Sequence, residues 1–421
     1  MLRLFIYAII FQCTFLSCTG QDTRGRGGYT RGRKLDNQIK PGAASMNQYL
    51  PLLKDKKVAL FANHTSTIEN VHLADTLQKL GVNIKVIFGP EHGFRGKADA
   101  GEKIISYKDS ATGINVISLY GNKLKPGKED LKDIDVMLFD IQDVGVRFYT
   151  YISSLQYYME AAIENNKHLI VLDRPNPNGH YVDGPVLDTS FRSFVGMQPV
   201  PVVYGMTIGE YAQMIFSEHW YDKKAYNWDK GDFELTVIPC TNYDHTKFYE
   251  LPIAPSPNLP NMQSIYLYPS TCFFEGTVLS EGRGTDAPFQ QFGDPRLPKN
   301  LHSFTPKSMP GAKNPKHLNT TCYGWQITGN AEEVRTVLNN KLQIQYLSDA
   351  YNAFPDKEKF FLPSKSGKAS DYFFNKLAGN GQLMQQIKEG ATASNIRESW
   401  KKEMEVFKAV RKLYLLYKDF E

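Results

Sequence analysis

The chain has 421 residues, 42% of them hydrophobic and 22% charged, which is the composition of a globular protein with two or three domains and a sizeable core. Its formal net charge of +5 does not indicate a basic surface, because the whole surplus lies in residues 1–40, which hold seven Lys and Arg and two Asp. Residues 41–421 are formally neutral, so the overall charge gives no support for a nucleic-acid-binding protein.

The N-terminus is typical of an export signal. Arg3 precedes a mostly apolar run, residues 4–16, which is too short to span a bilayer. Ser17 directly before Cys18 is similar to the lipobox of bacterial lipoproteins, in which the cysteine is lipidated. An ordinary signal peptide cleaved near Ser17 or Gly20 is the alternative. Both interpretations predict an exported protein, and the lipobox predicts a periplasmic or outer-membrane lipoprotein held to the membrane only through Cys18.

Domain boundaries follow from changes in composition. After a leader over residues 1–20, residues 21–40 are rich in Gly and Arg and predict a flexible basic linker. Residues 41–250 alternate short apolar runs with helical patterns, which predicts βαβ units in a Rossmann-like α/β domain with a mostly parallel sheet. Residues 251–421 combine Pro- and Gly-rich loops with a helical tail, and we expect them to form a smaller α+β auxiliary domain that completes a cleft.

The secondary structure of the larger domain is predicted from these runs. The predicted strands are 58–62, 84–88, 116–119, 136–140 and 169–173, and the predicted helices are 69–80, 149–165 and 207–219. In the tail, apolar side chains recur at helical spacing and indicate a face that packs on a core, namely Trp400, Met404, Phe407, Val410, Tyr414 and Tyr417.

Several common classes of site have no sequence signature here. No G-x-G-x-x-G follows a strand, and neither a P-loop, a nucleophile elbow nor H-E-x-x-H occurs. Cys240, Cys272 and Cys322 have no zinc-ligand spacing, and one disulfide or three free thiols is open for them. We therefore expect no nucleotide, no other cofactor and no metal.

Polar side chains follow three of the predicted strands, at the points where the strands end. Because the carboxyl ends of parallel strands share the edge of a sheet where ligands bind, we expect these side chains to form one site. They are Glu91 and Arg95 after the second strand, Asp140, Gln142, Asp143, Arg147 and Tyr149 after the fourth, and Asp173, Arg174 and Asn176 after the fifth. Each aspartate by itself is equally well explained as a helix cap or as the partner of an arginine.

Glu91 is the strongest individual candidate, because it follows a Gly-Pro pair in a segment too short for a helix and so has little capping to do. Glu210 is the opposite case, since its spacing from Thr207 is that of a capping box and predicts a structural role. Two carboxylates, one protonated and one ionised, are what glycoside hydrolysis requires. Phosphoester and amide chemistry use the same residue types, and the residues alone leave these reactions open.

Six longer motifs occur in a fixed order along the chain: GPEHGFRG, DIQDVGVRFYTY, DRPNPNG, YGMTIGE, PSPNLP and EGTVLSEGRGTDAPF. From about residue 45 to the C-terminus they resemble the bacterial exo-β-N-acetylmuramidase family, long known as a conserved domain of unknown function. The resemblance implies a Rossmann-like catalytic domain, an auxiliary domain and an active site between them. It further implies release of terminal β-1,4-linked N-acetylmuramic acid from the non-reducing ends of peptidoglycan fragments, without metal or nucleotide.

Transferred by motif, the resemblance makes Glu91 the catalytic residue and leaves its partner open among Asp143, Glu281 and, as a further option, Glu275. The second carboxylate acts directly or orients the 2-acetamido group of the substrate. A bidentate arginine suits the lactyl carboxylate of muramic acid. The substrate-binding candidates are His92, Arg95, Asp140, Gln142, Arg147, Tyr149, Asp173, Arg174, Asn176, Asn258 and Arg283.

Two other function classes compete with this interpretation. A non-catalytic glycan-binding surface lipoprotein fits the aromatic content and the tether equally well, but a binder of an anionic sugar gains nothing from clustered carboxylates. A β-N-acetylglucosaminidase or an amidase that acts on peptidoglycan is the enzymatic alternative.

Overall fold

The structure is a computed structural model, and it describes residues 37–91, 93–96, 106–221 and 233–421. The leader, most of the linker, Cys18 and His92 lie outside the described residues. No helix in the described ranges combines the length and the apolar character needed to cross a membrane.

The strands of the first half alternate with helices, as the sequence predicts. The strands are β1 (Lys57–Ala62), β2 (Thr67–Ile68), β3 (Val71–His72), β4 (Asn83–Gly89), β5 (Tyr107–Lys108), β6 (Asn115–Ser118), β7 (Val136–Asp140), β8 (His168–Leu172) and β9 (Leu235–Ile238). The helices are α1 (Met46–Leu53), α2 (Leu73–Lys79), α3 (Lys128–Leu131), α4 (Tyr151–Glu164) and α5 (Ile208–Ser217).

Seven of the described strands form the main sheet, in the order β5-β6-β4-β1-β7-β8-β9. All neighbours pair in parallel except β5, which runs antiparallel to β6 at the edge. The chain moves outward from β1 first to one side and then to the other, which is the doubly wound order of a Rossmann-like fold. The predicted Rossmann-like sheet is confirmed, and its switch point lies between β1 and β7.

Apolar side chains on both faces explain why the central strands are buried. On one face the rings of Phe61 and Phe139 stack with their centroids 5.1 Å apart. The Phe61 ring also packs at 5.1 Å against the tilted ring of Tyr158 in α4. On the other face Leu60, Leu138 and neighbouring residues form a second cluster. Strands covered on both faces are continuous apolar runs rather than alternating ones, which is why the sequence identified them.

The predicted helices differ from the structure mainly at their ends. The prediction of a helix over 69–80 was wrong at its start, because residues 67–72 form the β2–β3 hairpin and α2 begins only at Leu73. The capping box at α5 is confirmed: the Thr207 side chain accepts a hydrogen bond from the Glu210 amide, and the Glu210 carboxylate accepts one from the Thr207 amide. The sequence analysis missed β9, a strand of four residues at the edge of the sheet, three of which are only partly buried.

The second half builds a smaller domain with its own small sheet. Its strands are β10 (Gln291–Asp294), β11 (His302–Phe304) and β12 (Cys322–Gln326), paired antiparallel in the order β10-β12-β11. Its helices are α6 (Met262–Thr271), α7 (Ala331–Leu338), α8 (Ile344–Ala353), α9 (Phe373–Ala378), α10 (Gln382–Lys388) and α11 (Ala393–Arg411). Trp400 and Phe407 of the predicted apolar stripe are buried, whereas Tyr414 and Tyr417 lie beyond the end of α11.

The two halves share buried contacts. Val146 and Phe148, which follow β7, belong to the same apolar cluster as Phe273 and other residues of the second half. Arg397 of α11 forms a bidentate ion pair of 2.8 and 2.9 Å with the buried Asp183 of the first half. The thiols of Cys240, Cys272 and Cys322 are free and buried.

Candidate active site

A cavity of about 260 Å³ lies where the carboxyl edge of the main sheet meets the second half of the chain. The sheet edge contributes residues that follow β4, β6 and β7, namely Glu91, Tyr120, Phe148, Tyr149, Thr150 and Tyr151. The rest of the wall consists of Phe194, Val195, Ser256, Asn258, Leu259, Tyr268, Glu275, Arg283, Phe289 and Phe373. Aromatic rings thus share one space with charged and hydroxyl groups.

Glu91 occupies a tight turn directly after β4. A Cβ on Gly89 would lie 3.0 Å from the amide nitrogen of Phe94, so the chain returns so closely that glycine fits this position best. The Gly93 amide donates to the Pro90 carbonyl at 2.9 Å and closes the turn. Glu91 is half-buried and lines the cavity.

Tyr120 is the hydrogen-bond partner of Glu91. It directly follows Leu119, whose amide donates to the Gly89 carbonyl at 2.8 Å, and this bond brings the ends of β6 and β4 together. Burial, and then the charge of Glu91 and its hydrogen bond, raise the pKa of the Tyr120 hydroxyl well above its usual range. The phenol therefore stays protonated and donates to the Glu91 carboxylate.

Two tyrosines after β7 support the same wall. The rings of Tyr149 and Tyr151 meet edge to face at 4.8 Å. The Tyr149 hydroxyl donates to the Pro255 carbonyl at 2.9 Å, and the Asn63 amide donates to the Tyr151 hydroxyl at 3.0 Å. Asn63 follows β1 at the switch point of the sheet, so these bonds fix both rings relative to the sheet and to the second half.

Four charged side chains lie together at the part of the wall that the second half contributes, two of them on the cavity and two behind it. Arg283 donates to Glu275 at 2.6 Å and lies 3.3 Å from Glu281, and Lys316 lies 3.2 Å from the other Glu281 oxygen. Glu275 and Arg283 line the cavity, whereas Glu281 lies behind them with only 4% of its side chain exposed. Burial by itself would raise the pKa of Glu281, but the charges of Lys316 and Arg283 outweigh burial and lower it.

Asp143 lies inside the protein and does not line the cavity. One of its carboxylate oxygens accepts hydrogen bonds from the Gly145 amide at 2.6 Å and from the Tyr204 hydroxyl. Burial raises the pKa of this carboxyl to about 7, because desolvation outweighs these two hydrogen bonds.

The structure also places several predicted substrate-binding residues away from the cavity. Arg95 forms ion pairs with Asp75 and Asp109 at 3.0 and 2.9 Å. Arg174 forms a bidentate pair with Asp140 at 2.6 and 2.8 Å, with both side chains buried. The charges of these arginines and aspartates thus neutralise one another. For Asp140 this is the alternative given in the sequence analysis, in which a strand-end aspartate is the partner of an arginine.

The remaining displaced candidates serve the backbone or other buried groups. Arg147 donates to the carbonyls of Pro185, Val200 and Leu377, and burial lowers its pKa to about 9. Gln142 donates to the Asp143 and Pro175 carbonyls, and Asn176 donates to the Met206 carbonyl. Asp173 is buried among residues of α5 and the C-terminal segment. Residues that follow β4 and β7 thus meet at the cavity, as expected from the shared edge of the sheet, but the predicted residues that follow β8 do not.

Of the predicted site residues, the cavity is lined by Glu91, Tyr149, Asn258, Arg283 and the further option Glu275. Sequence reasoning missed Tyr120, Tyr151 and Tyr268. Tyr120 could have been predicted, because it directly follows a predicted strand and so lies at the same edge of the sheet as the other candidates. Tyr268 could not have been predicted, because it lies inside α6 and only the packing of the second half turns it to the cavity.

Comparisons with known sequences agree with this architecture. The family model described as exo-β-N-acetylmuramidase NamZ, N-terminal, matches residues 58–263, and its C-terminal counterpart matches residues 266–417. Peptidoglycan β-N-acetylmuramidase NamZ of Bacillus subtilis strain 168 is 37% identical over 397 residues, which cover 88% of this chain and 89% of that protein.

Two solved structures share the fold. Both are proteins of the DUF1343 family from Bacteroides fragilis. One is 44% identical with a TM-score of 0.80 and covers 91% of this chain and 99% of its own. The other is 29% identical with a TM-score of 0.69 and covers 90% and 99%. From the match of both halves and the extent of these similarities, the chain belongs to the exo-β-N-acetylmuramidase NamZ family.

Proposed function

We propose that this protein is an exo-acting glycosidase that releases terminal β-1,4-linked N-acetylmuramic acid from the non-reducing ends of peptidoglycan fragments. The observation that carries the proposal is a cavity whose wall holds two carboxylates, Glu91 and Glu275, with Arg283 and several aromatic rings. Carboxylates supply the proton transfer and charge stabilisation of glycoside hydrolysis, and aromatic faces pack against sugar rings. The relative from B. subtilis is named for the same activity.

Glu91 acts as the general acid. It gives its proton to the glycosidic oxygen as the bond from that oxygen to the anomeric carbon breaks. A water molecule then supplies the hydroxyl group that bonds to the anomeric carbon. The remaining proton of this water goes to the Glu91 carboxylate and restores the acid. The hydrogen bond from Tyr120 holds the Glu91 carboxyl in a fixed orientation during both transfers.

Glu275 is the second carboxylate that the geometry favours, because it is the one of the three open candidates that lines the cavity. Asp143 lies behind the wall, and Glu281 is held between Arg283 and Lys316. We assign to Glu275 the stabilisation of the positive charge that develops at the anomeric centre, or the orientation of the 2-acetamido group. Arg283 binds the lactyl carboxylate of muramic acid through its guanidinium group.

The deciding assay compares two chromogenic substrates that differ only in the lactyl group, β-linked N-acetylmuramic acid and β-linked N-acetylglucosamine. We expect turnover of the first and a much lower kcat/KM for the second. Preference for the glucosamine substrate would instead identify a β-N-acetylglucosaminidase. Binding of muramic acid fragments without release of any sugar would identify a glycan-binding protein.

We further propose that the protein is exported and anchored by lipid on Cys18. The proposal is supported by the apolar run after Arg3 and by Ser17 directly before the cysteine. Mass spectrometry of the mature N-terminus tests it. A lipid-modified Cys18 as the first residue is the expected result, and an unmodified terminus beyond Cys18 would contradict it.

A further inference from the structure

Lys316 does not line the cavity, yet its ammonium group lies beside the charged wall, within 3.2 Å of five oxygen atoms. The Nζ atom lies within hydrogen-bond distance of four backbone carbonyls, among which its three N–H groups are shared. They belong to the segment that leads from the end of α6 to Glu281, namely to Phe274 (2.8 Å), Glu275 (3.2 Å), Thr277 (2.9 Å) and Leu279 (3.0 Å). The same atom lies 3.2 Å from the Glu281 carboxylate. This segment carries Glu275 and continues to Arg283, so Lys316 is bound to the polypeptide that forms the charged wall.

The charge balance of this wall depends on Lys316. Glu275 and Glu281 share one guanidinium, that of Arg283, and would leave one negative charge in excess without a second cation. Glu281 is buried, and a buried carboxylate without a cation is strongly unfavourable. Lys316 neutralises Glu281, so Arg283 is not needed for that purpose.

The distances from Arg283 to its two glutamates indicate that its guanidinium is held on the cavity side. The guanidinium is 2.6 Å from Glu275 on the cavity wall and 3.3 Å from Glu281 behind it. Without Lys316, Glu281 would have Arg283 as its nearest cation and would draw the guanidinium away from the cavity. An arginine withdrawn in this way could not meet a carboxylate of the substrate.

We propose that Lys316 is a positioning residue that neutralises Glu281 and thereby keeps Arg283 on the cavity wall, where it binds the carboxylate of an anionic sugar. The proposal rests on the proposed function, because it assigns the substrate carboxylate to Arg283. It extends that function by naming the charge outside the cavity on which recognition depends.

The first experiment compares Lys316→Met with the double variant Glu281→Gln/Lys316→Met. The single variant should raise KM for chromogenic β-N-acetylmuramic acid about tenfold or more with little change in kcat, because the lactyl carboxylate is bound equally in ground and transition states. The double variant should recover most of this loss, since the neutral amide that replaces the Glu281 carboxylate no longer competes for Arg283.

A double variant as impaired as Lys316→Met overturns the proposal, because a purely structural role of the ammonium in holding the four carbonyls is not relieved at Glu281. Wild-type KM in Lys316→Met overturns it as well. Should Lys316→Met fail to fold, circular dichroism decides: the double variant should fold because the unpaired carboxylate is gone, and failure of both contradicts the proposal.

Lys357→Met is the matched control. Lys357 also donates to backbone carbonyls, but they belong to Tyr351 and Asn352 and not to the segment that carries Glu275, Glu281 and Arg283. Its substitution should leave KM within about twofold of the wild type, a range that corresponds to well under 1 kcal/mol.

A structural measurement separates this proposal from the proposed function. If the wild-type protein released no muramic acid, the function would fail, but crystal structures of the two variants would still test the inference. Arg283 should turn from the cavity towards Glu281 in Lys316→Met and return to its place beside Glu275 in the double variant. An unchanged Arg283 in the single variant overturns the inference whatever the activity.

Discussion

Two groups of carboxylates near the carboxyl edge of the main sheet differ in their exposure, because one faces a cavity and the other is buried. The open group consists of Glu91 and Glu275 on the cavity wall. The sealed group consists of Asp173 after β8 and Glu210 in α5, both fully buried. Glu91 and Asp173 both follow a strand of the sheet, yet one lies in a candidate active site and the other in a structural cluster.

The sealed group is closed by the C-terminal segment. The Tyr417 hydroxyl donates to Asp173 at 2.5 Å, and the Leu416 amide donates to Glu210 at 2.8 Å. Glu210 also forms a buried pair with His245 at 3.0 Å. The segment that covers this group comes from more than 200 residues further along the chain, so local sequence could not reveal it. The difference between the two groups is whether anything covers them.

The largest expected effect is at the open group. Glu91→Gln keeps the shape of the side chain but cannot donate a proton, so turnover of the natural disaccharide should fall about 10²–10⁴-fold with folding intact. A substrate with an activated nitrophenyl leaving group needs less protonation and should lose less. Equal loss on both substrates would make Glu91 a nucleophile or an acetamide-orienting residue, and near-normal turnover would make it structural. The exposed Glu129→Gln is the matched control.

A smaller effect, of a different kind, is expected at the sealed group. Tyr417→Phe removes the hydroxyl that donates to Asp173 and accepts from the Cys240 amide at 2.8 Å. The free energy of unfolding should fall by about 1–3 kcal/mol, because the Cys240 amide and the Asp173 carboxylate each lose one hydrogen bond. Denaturant unfolding measures this, and kcat/KM should stay within about twofold.

Tyr107→Phe is the control for that experiment, since Tyr107 lies on the edge strand β5 with 40% of its surface exposed. Its unfolding free energy should match the wild type. A large fall in kcat/KM in Tyr417→Phe with unchanged stability would contradict the separation of the two groups.

The smallest effect concerns the pH dependence of stability. Burial, and then the charge of Glu210, raise the pKa of Asp173 from its ordinary value of 3.8 to about 6. The folded protein therefore binds a proton here that the unfolded chain has already lost, so this contribution to stability is fully present below about pH 4 and is lost as pH rises through about 6. Its slope reaches at most about 1.4 kcal/mol per pH unit.

Asp173→Asn should remove this part of the slope between about pH 4 and 6. Asp143, whose pKa burial raises to about 7, contributes a slope of the same sign from about pH 4 to 7, and this contribution is unchanged in the variant. Denaturant unfolding at several pH values across this range gives the slope of the unfolding free energy for the wild type and for the variant. An identical slope in wild type and variant would contradict the raised pKa of Asp173.

Some features of this protein were determined by the sequence alone. The central strands β1, β4, β7 and β8 contain continuous apolar runs, so they were predicted close to their observed bounds, and the shorter run in β6 was sufficient as well. The capping box at Thr207 and Glu210 is a local pattern that depends on four consecutive residues, and it was predicted correctly. Glu91 was identified as the leading candidate because its turn is equally local.

The tertiary structure alone decided which polar groups remain available to a ligand. Arg147 and Arg174 resemble ligand-binding arginines in sequence, but packing places carbonyls or Asp140 around them. Conversely, Glu275 and Arg283 reach the cavity only because the second half folds back onto the sheet edge. A charge is satisfied by whatever lies within a few ångströms, and those neighbours are set by contacts between distant segments that no local pattern encodes.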